Sequence, residues 1–312
     1  MIMEKFEYNV KKINEKYNFN IYNASTLNNP KDNTIIFFKK DNEELLKKLK
    51  NIKNSILIIN DKLDAQKLEE YNLVIYDENP RLKYAQLLTE ILKENKKEYK
   101  SFFRDGYYFG ENVEIGENVI IEPFVKIGSN VEIGDNTIIK AGAVIRDNIK
   151  IGNDCYIREN CVIGGEGFGL EKDNLGRNFR IPHIGGVQIE NNVEIGALTT
   201  ICSGTIEATY LEEYVKIDDH VHIAHNVRIG KGSFVIAGSV IGGSTEIGKQ
   251  SWIGINSSVK NGLKLGQNIT LGMATRVVES VDDNQILTNE KADTLENIIK
   301  FSNYKKEILK KL

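Results

Sequence analysis

Three of the chain's four histidines fall within six residues, His220, His222 and His225 in D-H-V-H-I-A-H-N, and the fourth, His183, stands apart. An imidazole has an unperturbed pKa of about 6.5, so it can take a proton from an amine as that amine attacks an activated carbonyl. Ile223 belongs to a series of inward-facing residues, which puts His225, two residues later, on or near an outer corner. There it is either a proton acceptor or an exposed capping residue. The three clustered histidines lack carboxylates at a known ligand spacing, so no metal site is expected.

The element that must hold these residues is a repeat of six. Isoleucine recurs at every sixth position from Ile115 to Ile163, and a second register runs from Ile217 to Val277. Neither the helical period of 3.6 nor simple strand alternation gives a strict six; a solenoid of short strands and corners does. Four residues after each large aliphatic comes a smaller inward one, as at Val125, Val131, Thr137, Ala143, Cys155 and Cys161. Large and small side chains together fill a narrow prism. Gly, Asn and Asp between them suit corners, where left-handed backbone is tolerated.

The repeat predicts a mainly β fold in three parts. Residues 1–104 form an α/β domain, with strands near Ser55–Ile59 and Leu73–Tyr76 and a helix over 81–97. Residues 105–279 form the solenoid. Residues 280–312 form a helical tail, with Leu295, Ile298, Ile299, Tyr304 and Ile308 spaced for packing. Two breaks in register predict a loop over Gly165–Ile184 and a smaller protrusion near Ser203–Tyr214. Loops thrown from a rigid scaffold are where sites are built.

Composition narrows the function by exclusion. With 41 basic and 44 acidic residues the net charge is −3, too balanced for a nucleic-acid or membrane-surface binder. No apolar run approaches the roughly 20 residues of a membrane span, and no signal-peptide pattern opens the chain. Three cysteines, two at inward positions, read as reduced core residues in a cytoplasmic protein.

The repeat resembles that of the hexapeptide-repeat acyltransferases, which implies a left-handed parallel β-helix. The motifs V-I-G-G-E-G-F-G-L (Val162–Leu170), G-R (Gly176–Arg177), I-P-H-I-G-G-V (Ile181–Val187), V-E-I-G-A (Val193–Ala197) and I-A-H-N (Ile223–Asn226) are similar to those of UDP-3-O-acylglucosamine N-acyltransferases of lipid A synthesis. The resemblance makes His225 the general base. Asp218 is either the residue that polarises it or a corner turn residue. It also implies a homotrimer, with the donor in the groove between neighbouring solenoids.

Departures from the family pattern fall in the acceptor pocket. Phe37 matches the family's uracil-stacking ring, but Lys40 and Glu43 stand where Asn and Tyr are expected. Leu263 replaces a second histidine, His222 replaces a Gln, and Cys202–Ser203 replaces an Asp-Arg pair. This pattern predicts a relative acting on another amino sugar, such as a dTDP-linked 4-amino-4,6-dideoxyhexose of the anthrose-pathway kind, acylated from acyl-CoA for surface-glycan synthesis. The lipid A enzyme using acyl carrier protein is the alternative, and a non-catalytic trimeric scaffold is a third. Acceptor-binding candidates are Phe37, Glu166, Phe168, Arg177 and His222, with Phe168 equally readable as a loop anchor. Donor-binding candidates are Gly242 and Gly243, near which an oxyanion-stabilising N–H is placed, together with Lys260 and Arg276, each equally readable as surface charge. No tightly bound cofactor is expected.

Overall fold

The computed structural model describes residues 6–38, 47–60, 63–96, 99–289, 294, 297, 299–302 and 304. Short strands between Tyr107 and Leu287 stack in parallel into three sheets of nine, ten and eight strands, the ten-stranded one ending in an antiparallel hairpin of Phe102–Arg104 with Tyr107–Phe109. Ile133 pairs with Ile151, Ile139 with Ile157 and Ile145 with Ile163, so each coil uses three hexads and each isoleucine lies over the one below. These side chains are at most 3% exposed, and full burial of each contributes about 1.5–3 kcal/mol. The small inward residues complete the same core, and the buried hydroxyls among them are satisfied: Ser233 donates to the Gly248 carbonyl at 2.8 Å and Ser239 to that of Gly254 at 3.0 Å.

The corners explain the asparagines. Asn112, Asn118, Asn130, Asn136 and Asn148 all have positive φ, and their side chains bond from coil to coil, Asn112 to Asn130 at 3.1 Å and Asn130 to Asn148 at 3.2 Å. An Asn thus accepts the left-handed turn and ties the stack along its axis.

The cysteines lie inside this core. Burial raises the pKa of all three thiols, that of Cys161 to about 12. Since the thiolate is the reactive form, Ellman's reagent at pH 8 is expected to find no thiol in the native protein and three after denaturation. Rapid native labelling would show that the coil opens.

Both register breaks are insertions on one side of the prism. Ile151 pairs with Ile189 and not with a residue eighteen on, so twenty extra residues leave the wall, including a hairpin of Leu170–Lys172 with Asn178–Arg180. One coil later Ile189 pairs with Leu211, leaving a four-residue protrusion. The two insertions grip each other where Gly185 N–H donates to the Gly204 carbonyl and Gly204 N–H to that of Gly186, both at 2.9 Å.

The amino-terminal part is a four-stranded parallel sheet, Asn23–Ala24, Thr34–Phe37, Ile56–Asn60 and Leu73–Asp77, with the helix Pro80–Glu94 packed on it. Asn79 caps that helix by accepting from Leu82 N–H, and Pro80 takes the first position, where a missing N–H costs nothing. Ile181, Ile184 and Ile206 from the insertions bury themselves in this domain's core with Tyr84, Leu88 and Ile91. The insertions are therefore the cement between domain and solenoid.

The carboxyl-terminal end departs from expectation. The ladder passes residue 279, because Ile286–Leu287 pairs with Thr270–Leu271 and corner bonds such as Asn268 to Asn284 at 3.0 Å continue. In the tail, Ile299 and Tyr304 are helical and exposed, while Leu295, Ile298 and Ile308 lie outside the described residues. No helix among the described residues is long and apolar enough to cross a membrane.

Candidate active site

One edge of the prism gathers the expected chemistry. Thr200–Cys202, His222–Ile223, Val240–Ile241, Ser258–Val259 and Arg276–Val277 are successive rungs of the ten-stranded sheet, and the chain turns the same corner after each. His225 occupies that corner in one coil and Gly243 in the next, linked by Ser244 N–H donating to the His225 carbonyl at 2.8 Å. His222 faces outward on the adjoining face, as does Arg276 three rungs on, and Lys260 lies one coil beyond Gly242.

The tautomer of His225 follows from its neighbours. Thr205 N–H donates to Asn226 Oδ1 at 3.1 Å, and Asn226 Nδ2 donates to the Glu207 carbonyl at 3.2 Å, which fixes which end of the amide is oxygen. His225 Nδ1 lies 2.9 Å from that oxygen and must carry the hydrogen. In the neutral ring the lone pair then falls to Nε2. It points to Gly243, where an added Cβ would lie 2.7 Å away. The corner thus presents a basic nitrogen over a glycine backbone.

The first insertion covers the other side of this imidazole. His183 lies edge-on to His225 with ring centroids 5.3 Å apart. Gly167 lies against both side chains: a Cβ there would come within 2.7 Å of His183 Nε2 and 2.9 Å of His225 Cβ. Both nitrogens of His183 are buried without a hydrogen-bond partner, at a cost of about 1–3 kcal/mol for each unsatisfied group. Burial first, then the neighbouring His225, pushes its pKa down to about 4, against a smaller opposing effect of the Ile181 backbone and with lesser help from Arg180 and Arg81. The ring is uncharged at neutral pH.

Of the acceptor candidates, Glu166 and Phe168 stand at the mouth of this insertion. Phe168 is 80% exposed, with the Arg180 guanidinium 5.9 Å from its ring, and Arg180 also donates to the Gly167 carbonyl at 3.1 Å. Phe37 ends a strand of the amino-terminal sheet and packs on Tyr84 at 4.5 Å, on the edge beyond the strands' carboxyl ends where parallel sheets bind ligands. Lys40 and Glu43 lie outside the described residues.

Of its two readings, Asp218 takes the corner one within this chain: it closes the corner of another face, its carboxylate accepting from Asp219 N–H at 2.8 Å and Ala237 N–H at 3.1 Å. The side chain that meets His225 Nδ1 is that of Asn226. Gly242 N–H is held by the Val259 carbonyl at 2.9 Å, so it is not free for an oxyanion, whereas Gly243 N–H has no partner among the described residues. Arg177 is bound to Asp173 at 2.7 Å in the hairpin turn, beside a groove of about 850 Å³ shared with Asp77, Asn79 and Lys83. Leu263 is buried in the core of the coil.

The sequence reading also left His183, Arg180, Asn226, Thr205 and Glu207 without roles. Two signals were available: a histidine between two isoleucines in I-P-H-I, and an Asn following the corner histidine.

Comparison with known proteins bears on the repeat and the family. Residues 112–147, 131–165 and 208–243 match the family model for bacterial transferase hexapeptide (six repeats). A UDP-3-O-acylglucosamine N-acyltransferase from Helicobacter pylori is 35% identical over 237 residues, covering 73% of this chain and 70% of that protein. The chain belongs to the UDP-3-O-acylglucosamine N-acyltransferase family. Similarity to some relatives is higher but more local: with UDP-3-O-acylglucosamine N-acyltransferase 2 of Legionella pneumophila it is 49% over 84 residues, 27% of this chain and only 24% of the relative's length. The fold has its own parallel in the crystal structure of UDP-N-acetylglucosamine O-acyltransferase from Moraxella catarrhalis, at a TM-score of 0.54 and 22% identity over 60% of this chain and 70% of that one. Like those structures, the solenoid is a left-handed β-helix.

Proposed function

We propose that this chain transfers an acyl group from a thioester to the amino group of a UDP-linked 3-O-acylglucosamine. The observation that carries the chemistry is the fixed Nδ1–H tautomer of His225, which leaves Nε2 as proton acceptor above Gly243. The amine nitrogen attacks the thioester carbonyl carbon and gives its proton to His225 Nε2. Gly243 N–H stabilises the oxyanion. On collapse the C–S bond breaks, and the imidazolium returns the proton to the departing thiolate. Positioning of the two substrates supplies much of the rate, because a thioester is already activated and a free amine is a good nucleophile.

The relatives' names favour the UDP-linked acceptor, so the dTDP-aminosugar expectation gives way. In this reading Phe37 sits beside the uracil, Glu166 and Phe168 meet the sugar, and Lys260 and Arg276 face the donor's phosphates. The donor is acyl carrier protein, and the active unit is a homotrimer. A face suited to subunit contact exists on the nine-stranded sheet, where Phe234 and Trp252 stack at 5.4 Å and remain exposed.

The test is thiol release from acyl-carrier-protein and acyl-CoA thioesters against UDP-3-O-acylglucosamine and dTDP-linked amino sugars. Release with the UDP acceptor supports the proposal. Release only with a dTDP-aminosugar, or with no acceptor at all, overturns it.

A further inference from the structure

A leucine would fill the space of the His183 ring without leaving polar atoms unsatisfied. A buried polar group with no partner calls for an explanation beyond packing. Three features surround it. Ile181 and Ile184, on either side in sequence, are both buried in the amino-terminal core, so the segment carrying the ring is pinned at two points. Gly167 and Gly169 both lack a side chain where it would meet the ring; a Cβ at Gly169 would lie 3.0 Å from His183 Cε1. The ring edge meets His225 at an interplanar angle of 68°.

Hydrogen bonding holds the His225 ring at one atom, the Nδ1–H bonded to Asn226, and the two glycines that adjoin it, Gly167 and Gly243, offer no side chain to block its rotation. One hydrogen bond leaves the ring free to swing about its side-chain torsions, and the far end, Nε2, moves most. We infer that His183 is a positioning residue that walls off this swing and holds Nε2 over Gly243. The inference rests on the base role proposed for His225.

Lack of charge suits His183 to the task. A cation there would repel the imidazolium formed when His225 takes the amine proton. The charged groups facing His183 are Arg180 and Arg81, the latter paired with Glu171 at 2.5 Å, and His225 is its titratable neighbour. Each of the three opposes protonation of His183, as does its burial.

Two measurements on the full chain test the inference. In steady-state assays with the UDP acceptor and acyl-carrier-protein thioester, His183→Ala is expected to lower kcat about 10–100-fold, since misplacing a reacting group by about 1 Å has effects of this size. Both KM values should stay within about twofold of the parent, and the flat amide of His183→Gln should restore most of the rate. In ¹⁵N-histidine NMR without substrates, the parent should show His225 as a single Nδ1–H tautomer and His183 neutral down to about pH 4. His183→Ala should turn the His225 signals into an average of tautomers. An unchanged kcat with unchanged His225 signals overturns the inference, as does a rate loss equal to the loss of folded protein. If the parent enzyme does not turn over, the proposed reaction fails, and the NMR comparison still decides whether His183 orders His225.

Discussion

Replacing His225 with alanine should reduce kcat by roughly 10²–10⁴-fold, the range for loss of a positioned general base. The KM values should change little, because the ring supplies proton transfer and not the bulk of substrate binding. Folding should survive: the core of that coil is made by Ile223 and Val227, both fully buried, while His225 sits on the corner. The measurement is steady-state thiol release with thermal unfolding of the same samples. A variant within a few-fold of the parent's kcat would remove His225 from the mechanism, whatever else the corner does.

Gly243→Ala tests the other half of the corner. The φ of Gly243 lies outside the left-handed range, so alanine introduces no backbone strain there. Its new methyl would lie 2.7 Å from His225 Nε2 and 2.8 Å from Cε1, well inside contact distance. Something must yield, and the free end of a side chain yields more easily than a backbone held in the coil ladder. The imidazole should therefore swing away, lowering kcat about 10²-fold with Tm within a few degrees of the parent. Gly243 N–H remains in place, so the loss reports on the histidine and not on the oxyanion donor. A fully active Gly243→Ala would mean that Nε2 works somewhere other than over Gly243.

How much of this was legible in the residues differs from element to element. The coil was, because an inward side chain every six residues repeats the same burial at each turn, and a one-dimensional pattern maps directly onto a stacked ladder. The twenty-residue insertion was legible for the same reason, as a break in an otherwise strict count. Asp218 stayed open between two roles in the sequence, because seven positions do not say where the prism turns; in the fold its carboxylate meets the backbone amides of a corner. The surroundings of Arg177 were not legible either, since only the folded hairpin sets it beside Asp77 and Asn79 of the amino-terminal part.

The sequence by itself determined the three-sided solenoid, the inward isoleucines, the asparagine corners and the corner position of His225, all consequences of local periodicity. Only the tertiary structure decided what surrounds that histidine. His183 is 42 residues from His225 and Gly243 is 18, while Asn226 is its neighbour in sequence but takes its meaning from Thr205 and Glu207. Their meeting depends on two insertions folding back over one edge and burying Ile181, Ile184 and Ile206 in another domain. Such contacts arise from non-local packing, which leaves no period in the chain.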